Sequence, residues 1–348
     1  MRSRHRSATL ASHKTFLGGL MKKNRILKAL AALGTGAAAL VFMHGALAQA
    51  WPSKPVRWIL SQPAGSGPDV VSRYVAEHLS KALGQAIVIE NRPGGQNIIG
   101  AQAAAKAAPD GYTFYYGTTA AIVTNVYTFK TLPYDPRKDF IPVAMIGKSP
   151  FLIAASPAAN VKTLSEALAL ARAQPDKVSI GTEGPKTFSG MLADMVASLG
   201  GVTLTHVPYQ KAPEAIQDAI GGRIQLLCLP SAALIPQIKA NRIVALAVST
   251  PQRLPGLPDT PPIGDTFAGF EYTGWNILFA PAGTPAEIVA RVNQELDRIL
   301  RTPEVAERML AMGSIAESLG TPQAVGGFVN AEFTRWDRIV KSLKIQPE

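Results

Sequence analysis

The 348-residue chain has one cysteine, Cys228. That excludes an internal disulfide and the paired-thiol spacings of zinc and redox sites. Cys228 lies in the run Leu226-Leu227-Cys228-Leu229, the setting of a buried small hydrophobe rather than a nucleophile. Histidine is equally scarce, with only His78 and His206 after residue 50. Two histidines so far apart do not suggest a metal site, and a satisfied structural role accounts for His206. The chain has no G-x-S-x-G elbow, no H-E-x-x-H, no Walker A sequence and no G-x-G-x-x-G. No catalytic residue, metal ligand or cofactor is therefore assigned.

Acidic residues are missing from the first 50 positions, which hold eight Lys and Arg. Lys22, Lys23, Arg25 and Lys28 form a basic start, and an Ala/Leu-rich apolar run over 30–43 follows. Ala48-Gln49-Ala50 is a small-x-small cleavage site before Trp51. This is the pattern of a secretory signal peptide over 1–50, and Met21-Lys22-Lys23 offers an internal start. The apolar run is short of the roughly 20 residues that a membrane-spanning helix needs. Without this segment 27 basic residues face 24 acidic ones, a net of +3 in place of +11. The basic balance then gives no reason to expect nucleic acid as a partner.

What the sequence does have is strands alternating with helices. Strands are expected at 59–60, 87–89, 112–116, 178–180, 204–207, 225–229, 243–248 and 272–279, with one or two more within 141–155. Helices are expected at 69–83, 98–108, 165–172, 188–199, 213–220, 232–240, 285–300, 303–312 and 322–343. The proline cluster over 251–262 excludes regular structure. Such alternation means α/β sheets flanked by helices, with ligands gathered outside the carboxyl ends of strands.

One strand–turn–helix stretch organises the rest: Trp58-Ile59-Leu60-Ser61-Gln62-Pro63-Ala64-Gly65-Ser66-Gly67-Pro68-Asp69. Its glycines leave backbone N–H groups uncovered at a helix N-terminus, which suits an anion, though an ordinary turn has the same composition. Asp69 could serve as a base, but a carboxylate at the positive end of the helix dipole needs no such role. Two further loops are rich in Gly, Ser, Thr and Pro, at 117–120 and 182–187, and the second repeats the architecture of the first.

Trp51-Pro52-Ser53-Lys54-Pro55-Val56-Arg57, the loop Pro63–Asp69, Glu90-Asn91-Arg92-Pro93-Gly94-Gly95, Ala107-Ala108-Pro109-Asp110-Gly111, Leu132-Pro133-Tyr134-Asp135-Pro136, His206-Val207-Pro208-Tyr209 and Ala280-Pro281-Ala282-Gly283-Thr284-Pro285 occur in that order. Together they resemble the Bug family, the periplasmic substrate-binding proteins of tripartite tricarboxylate transporters. The resemblance covers residues 51–348. It implies a two-domain, type II-like periplasmic binding protein fold, with parallel or mixed sheets and a cleft between the domains. Residues 51–152 and 274–348 would form domain 1, and 153–273 domain 2. It implies a periplasmic monomer that captures a small carboxylate for membrane transporter subunits, not an enzyme. Ligand contacts would come from Ala64, Gly65, Ser66, Gly67 and Asp69, from Gly117, Thr118 and Thr119, and from Thr182, Glu183, Pro185, Thr187 and Tyr209. The hydroxyls of Ser66, Thr182 and Thr187 are expected to donate to the ligand. Family members that bind amino-acid-like ligands tend to carry an aspartate after the strand at 225–229, where this chain has Leu229-Pro230-Ser231. Glu183 and Lys186 also depart from the small polar residues usual in the second loop. The alternatives are a ligand-sensing partner of a sensor kinase or chemoreceptor, and a secreted enzyme acting on a small carboxylate.

Intact-mass analysis of the exported protein should give a mature chain that starts at Trp51. A product retaining residues 21–50 would overturn the cleavage.

Overall fold

Period-2 apolar strands and period-3.6 apolar helices fold into two mixed sheets flanked by helices. The computed structural model describes residues 51–185, 187–343 and 345–347, and one unit from Lys54 onward carries both sheets. The expected signal segment and Lys186 lie outside the described residues. In chain order the elements begin β1 (Val56–Leu60), α1 (Gly67–Leu83), β2 (Ile87–Asn91), α2 (Ile98–Ala105), β3 (Thr113–Thr118), α3 (Asn125–Thr128) and β4 (Phe140–Ser149). Next come β5 (Phe151–Ala155), α4 (Leu164–Ala173), β6 (Ser179–Thr182), α5 (Phe188–Gly200), β7 (Thr205–Pro208), α6 (Ala212–Ile220), β8 (Leu226–Pro230), α7 (Ser231–Lys239) and β9 (Val244–Val248). The chain ends with β10 (Gly274–Pro281), α8 (Ala286–Leu300), α9 (Pro303–Ala311), β11 (Ile315–Ala316) and α10 (Pro322–Leu343).

The two sheets share a strand order. One runs β2-β1-β3-β10-β4 with β11 on its edge, the other β7-β6-β8-β5-β9. Each has three parallel strands beside an antiparallel strand, β10 or β5, that arrives from the other half of the chain. The chain changes sheet at Pro150, between β4 and β5, and again through residues 249–273. Hydroxyl and amide side chains knit these crossings. Ser249 Oγ accepts from Phe151 N at 3.0 Å, Thr273 Oγ1 donates to Ser249 O at 3.2 Å, and Asn276 Nδ2 donates to Ser149 Oγ at 2.6 Å.

Local rules explain the elements. In α1, Val71, Val75 and Leu79 recur every four residues and are buried, and Gly84 ends the helix at φ +70° with its N–H on Ser80 O. In β5, Phe151, Ile153 and Ala155 join one core while Leu152 and Ala154 join another, as a two-faced strand requires. Residues 251–262 hold no helix or strand element. One local expectation changes: beyond Thr118 the chain does not stay a loop but winds a π-helical turn over Ala120–Thr124.

The two halves also meet at Gly313. Its φ is +77°, and its carbonyl accepts from Ser231 Oγ at 2.9 Å. A Cβ there would fall 2.5 Å from Ala232 Cα. Gly313→Val should therefore lose about 1–3 kcal/mol through steric overlap and lower the thermal midpoint. Gly320→Ala, also at positive φ but facing open space, should lose less. Equal midpoints for the two variants would contradict the close approach.

Candidate functional site

The first loop is built from buried polar anchors upward. Where β1 ends, Ser61 Oγ donates to Asn97 O at 3.0 Å and lies 2.7 Å from Tyr115 OH. Helix α2 sits so close that a Cβ on Gly100 would fall 2.5 Å from Ser61 Oγ. The chain then turns through Pro63–Gly65, with Ser66 N on Pro63 O at 3.2 Å and Gly65 at φ +80°.

Asp69 holds this turn. It is 3% exposed, and its carboxylate accepts from Gly65 N at 2.9 Å, Asn91 Nδ2 at 2.8 Å and Arg73 Nε at 3.1 Å. Asn91 Nδ2 also donates to Gln62 O, and Arg73 reaches Asn91 Oδ1 at 2.8 Å. Burial alone would raise the Asp69 carboxyl, but its bonds to Arg73, Gly65 and Asn91 outweigh it and hold the pKa below its usual value. The loop's N–H groups are thus not all bare, because those of Gly65 and Ser66 are spent inside the loop. Asp69 organises the turn, and its lone pairs are engaged by the protein.

Ser66 Oγ is different: it is buried and has no partner among the described residues. It sits at the N-cap of the 17-residue α1, where the backbone dipole favours negative charge. Gly67 begins that helix, and a Cβ on it would lie 3.7 Å from Ala232 Cβ at the start of α7. The carboxyl ends of the two sheets therefore approach each other here. Ala64 is exposed at the tip of the turn.

Thr118 ends β3, which pairs with β1 by Leu60 opposite Tyr116, so the first loop and the 117–120 loop are neighbours. Gln62 Nε2 ties them, donating to Thr118 Oγ1 at 3.3 Å and to Asn97 Oδ1 at 3.0 Å. Thr119 and Gly117 have structural tasks instead. Thr119 Oγ1 accepts from Trp275 N at 3.0 Å, and a Cβ on Gly117 would strike the Phe279 ring at 2.8 Å.

The loop after β6 closes on itself. Thr187 Oγ1 donates to Gly184 O at 2.6 Å, lies 2.9 Å from Ser189 Oγ and accepts from Gly190 N as the α5 N-cap. One proton and two lone pairs are all a hydroxyl has, and those of Thr187 are engaged by Gly184, Ser189 and Gly190, so the donation to a ligand expected of it would require this set to rearrange. Thr182 is fully buried, and its Oγ1 accepts from Gly184 N at 3.1 Å. Pro185 is exposed. Glu183 is exposed, with protein packed around its base. That burial raises its carboxyl pKa against the opposing bond to Ser189. Tyr209 OH donates to Asp218 Oδ2 at 2.7 Å, and burial and this bond push its pKa up to about 12.

Sequence reasoning missed Gln62, Asn91 and Asn97. Gln62 lay inside the organising stretch, and Asn91 opened a loop marked only by its Pro and Gly. Among the described residues no group of three or more His, Cys, Asp or Glu could hold a metal ion. His206 Nε2 meets Asp194 Oδ1 at 2.8 Å, and Cys228 is fully buried. The arrangement offers neutral donors and helix dipoles, which suit binding of a small anion.

Asp69 makes acid stability a test of the clamp. A carboxyl with a lowered folded pKa adds stability above its unfolded value of about 3.9, and loses it as pH falls through the folded value. Chemical denaturation at neutral pH and below pH 3 should show Asp69→Asn less stable at neutral pH and less sensitive to acid than the wild type. Identical acid losses in both proteins would contradict the clamp.

Residues 71–345 match the family described as Tripartite tricarboxylate transporter family receptor. A UPF0065 protein of Bordetella bronchiseptica is 36% identical over 302 residues, 87% of this chain and 89% of the relative. Among solved structures, R. palustris Rpa4515 with adipate is similar at 31% identity and a TM-score of 0.81, covering 86% of this chain and all of its own. MatC from Rhodopseudomonas palustris with bound malate is similar at 29% identity and a TM-score of 0.76, covering 83% of this chain and all of its own. A two-sheet α/β body whose strand-end loops present neutral donors thus agrees in sequence and fold with these proteins, and the chain belongs to the tripartite tricarboxylate transporter receptor family.

Proposed function

We propose that this receptor captures a small carboxylate in the periplasm, at the carboxyl ends of its strands, and hands it to membrane subunits of a tripartite transporter. The observation that carries this reading is Ser66 Oγ, a buried hydroxyl without a partner at the N-terminus of α1. A carboxylate there meets a hydroxyl donor and the positive end of a helix, in a turn preset by Asp69. Neutral donors hold a carboxylate without the desolvation of a buried guanidinium. The adipate and malate of the two neighbouring structures are ligands of this chemical class. On this reading Ala64, Gly67 and Thr118 would meet the ligand beside Ser66, Gly65 and Asp69 would shape the turn beneath it, Gly117 and Thr119 would support Thr118, and Thr182, Glu183, Pro185, Thr187 and Tyr209 would contribute from the second sheet. The signal-like segment over 1–50 supports export.

A thermal-shift screen of mono-, di- and tricarboxylates against the mature protein tests this. A ligand at 100 times its dissociation constant should stabilise the fold by about 2.7 kcal/mol. Ser66→Ala should weaken that ligand roughly ten- to hundredfold in calorimetry, the worth of a hydrogen bond to a charged group. No shift with any carboxylate, or unchanged affinity in Ser66→Ala, would count against the site.

A further inference from the structure

Gln62 is the residue at the mouth of the first loop that the carboxylate reading leaves unused. Its side-chain amide is fixed at one end only. Nε2 donates to Asn97 Oδ1 at 3.0 Å and to Thr118 Oγ1 at 3.3 Å, which spends both of its protons. The main-chain carbonyl of Gln62 accepts from Asn91 Nδ2 at 3.0 Å, so the backbone beneath the side chain is pinned as well. The other end of the amide, Oε1, is buried and has no partner among the described residues. Four residues along the same turn, Ser66 Oγ is in the same condition.

These two atoms ask for different things. A hydroxyl donates as well as accepts, so Ser66 can meet a carboxylate oxygen. An amide oxygen only accepts, and a carboxylate oxygen has nothing to give it. As Asn97 Oδ1 faces Gln62, the nitrogen is the end of the amide that is held and Oε1 the end left over. We propose that Gln62 is a specificity-determining residue whose Oε1 accepts a hydrogen bond from a ligand hydroxyl, so that the receptor prefers hydroxylated carboxylates to their unsubstituted counterparts. The inference rests on the carboxylate reading and narrows it.

The clamp makes the preference strong. Asn97 and Thr118 hold the amide in place whether or not ligand is present, so Oε1 cannot swing away to another donor. A ligand without a hydroxyl leaves a buried acceptor unpaired, whereas a hydroxylated one satisfies it. Binding of the unsubstituted partner should then be weaker by about tenfold or more.

Calorimetry on the mature protein with three pairs that differ by one hydroxyl decides the matter: propionate and lactate, succinate and malate, tricarballylate and citrate. The wild type should favour the hydroxylated member of whichever pair binds by about tenfold or more. Gln62→Met keeps the length of the side chain and removes the acceptor, and the two affinities should converge. Asn97→Ala keeps the acceptor but frees the amide, and the ratio should fall part of the way. The readout is a ratio within one folded protein, so a general loss of stability does not mimic it, and Asn97→Ala serves if Gln62→Met does not fold. Equal binding of both members by the wild type, tighter binding of the unsubstituted one, or a preference that survives intact in the variants overturns the role of Gln62 alone. Aspartate binding more tightly than malate overturns the hydroxyl as the group it selects. If a carboxylate of the thermal-shift screen binds but no hydroxylated member of any pair does, the role of Gln62 falls alone; if no carboxylate binds at all, the carboxylate reading falls and this inference falls with it.

Discussion

A single buried carboxylate sets the geometry on which the first loop depends. Asp69 gathers a main-chain N–H from Gly65, an amide from Asn91 and a guanidinium from Arg73. These come from the turn, from the end of β2 and from the next turn of α1. A buried carboxylate is tolerable only when its lone pairs are occupied, and here the occupants are the elements that must be held together. The loop is therefore fixed before any ligand arrives, and the ordering that would otherwise weaken binding is already done by the fold. A neutral hydroxyl, Ser66 Oγ, is left over at the start of the helix.

The same strand order in both sheets places two Gly-, Ser- and Thr-rich loops in corresponding positions, after β1 and after β6. Each loop leads into a helix, and the two solve their turns differently. The first uses a charged residue one turn into the helix. The second uses Thr187 as an N-cap with Ser189 beside it. Where the chain passes between sheets, at Pro150 and through residues 249–273, short polar side chains fasten it. Ser149, Ser249, Thr273 and Asn276 all serve there.

Much of this was legible in the sequence because it is local. The helix starts, the alternation of strand and helix, and the turn at Pro63–Gly65 depend on neighbours a few residues away. What escaped was set by partners far along the chain. That the Gly65 N–H is occupied follows from Asp69 at i+4, but the orientation of Asp69 also depends on Asn91, 22 residues on. Gly117 read as a ligand contact in a small-residue loop, while the structure shows it also making room for Phe279, more than 160 residues later. Thr187 read as a donor because a free hydroxyl and a saturated one look the same in sequence. Gln62 carries no signal in the sequence, since an amide has no chemical signature until its two ends are distinguished.

A file of aromatic rings crosses the molecule. Phe188, the first residue after the second loop, packs on Phe151 at 4.7 Å and stacks on Tyr272 at 4.2 Å, and Tyr272 meets Trp336 of α10 at 5.3 Å. Tyr272 belongs to the segment that leads back to the first sheet, and Trp336 is buried in the last helix. Rings in van der Waals contact cannot be compressed, so a shift of the second loop must either carry the whole file or slide one ring across another. The C-terminal helix is thus mechanically joined to the loop after β6. Tags, truncations and surface attachments at that end of the chain are for this reason not remote from this loop, and Trp336 offers a native optical probe of its movement.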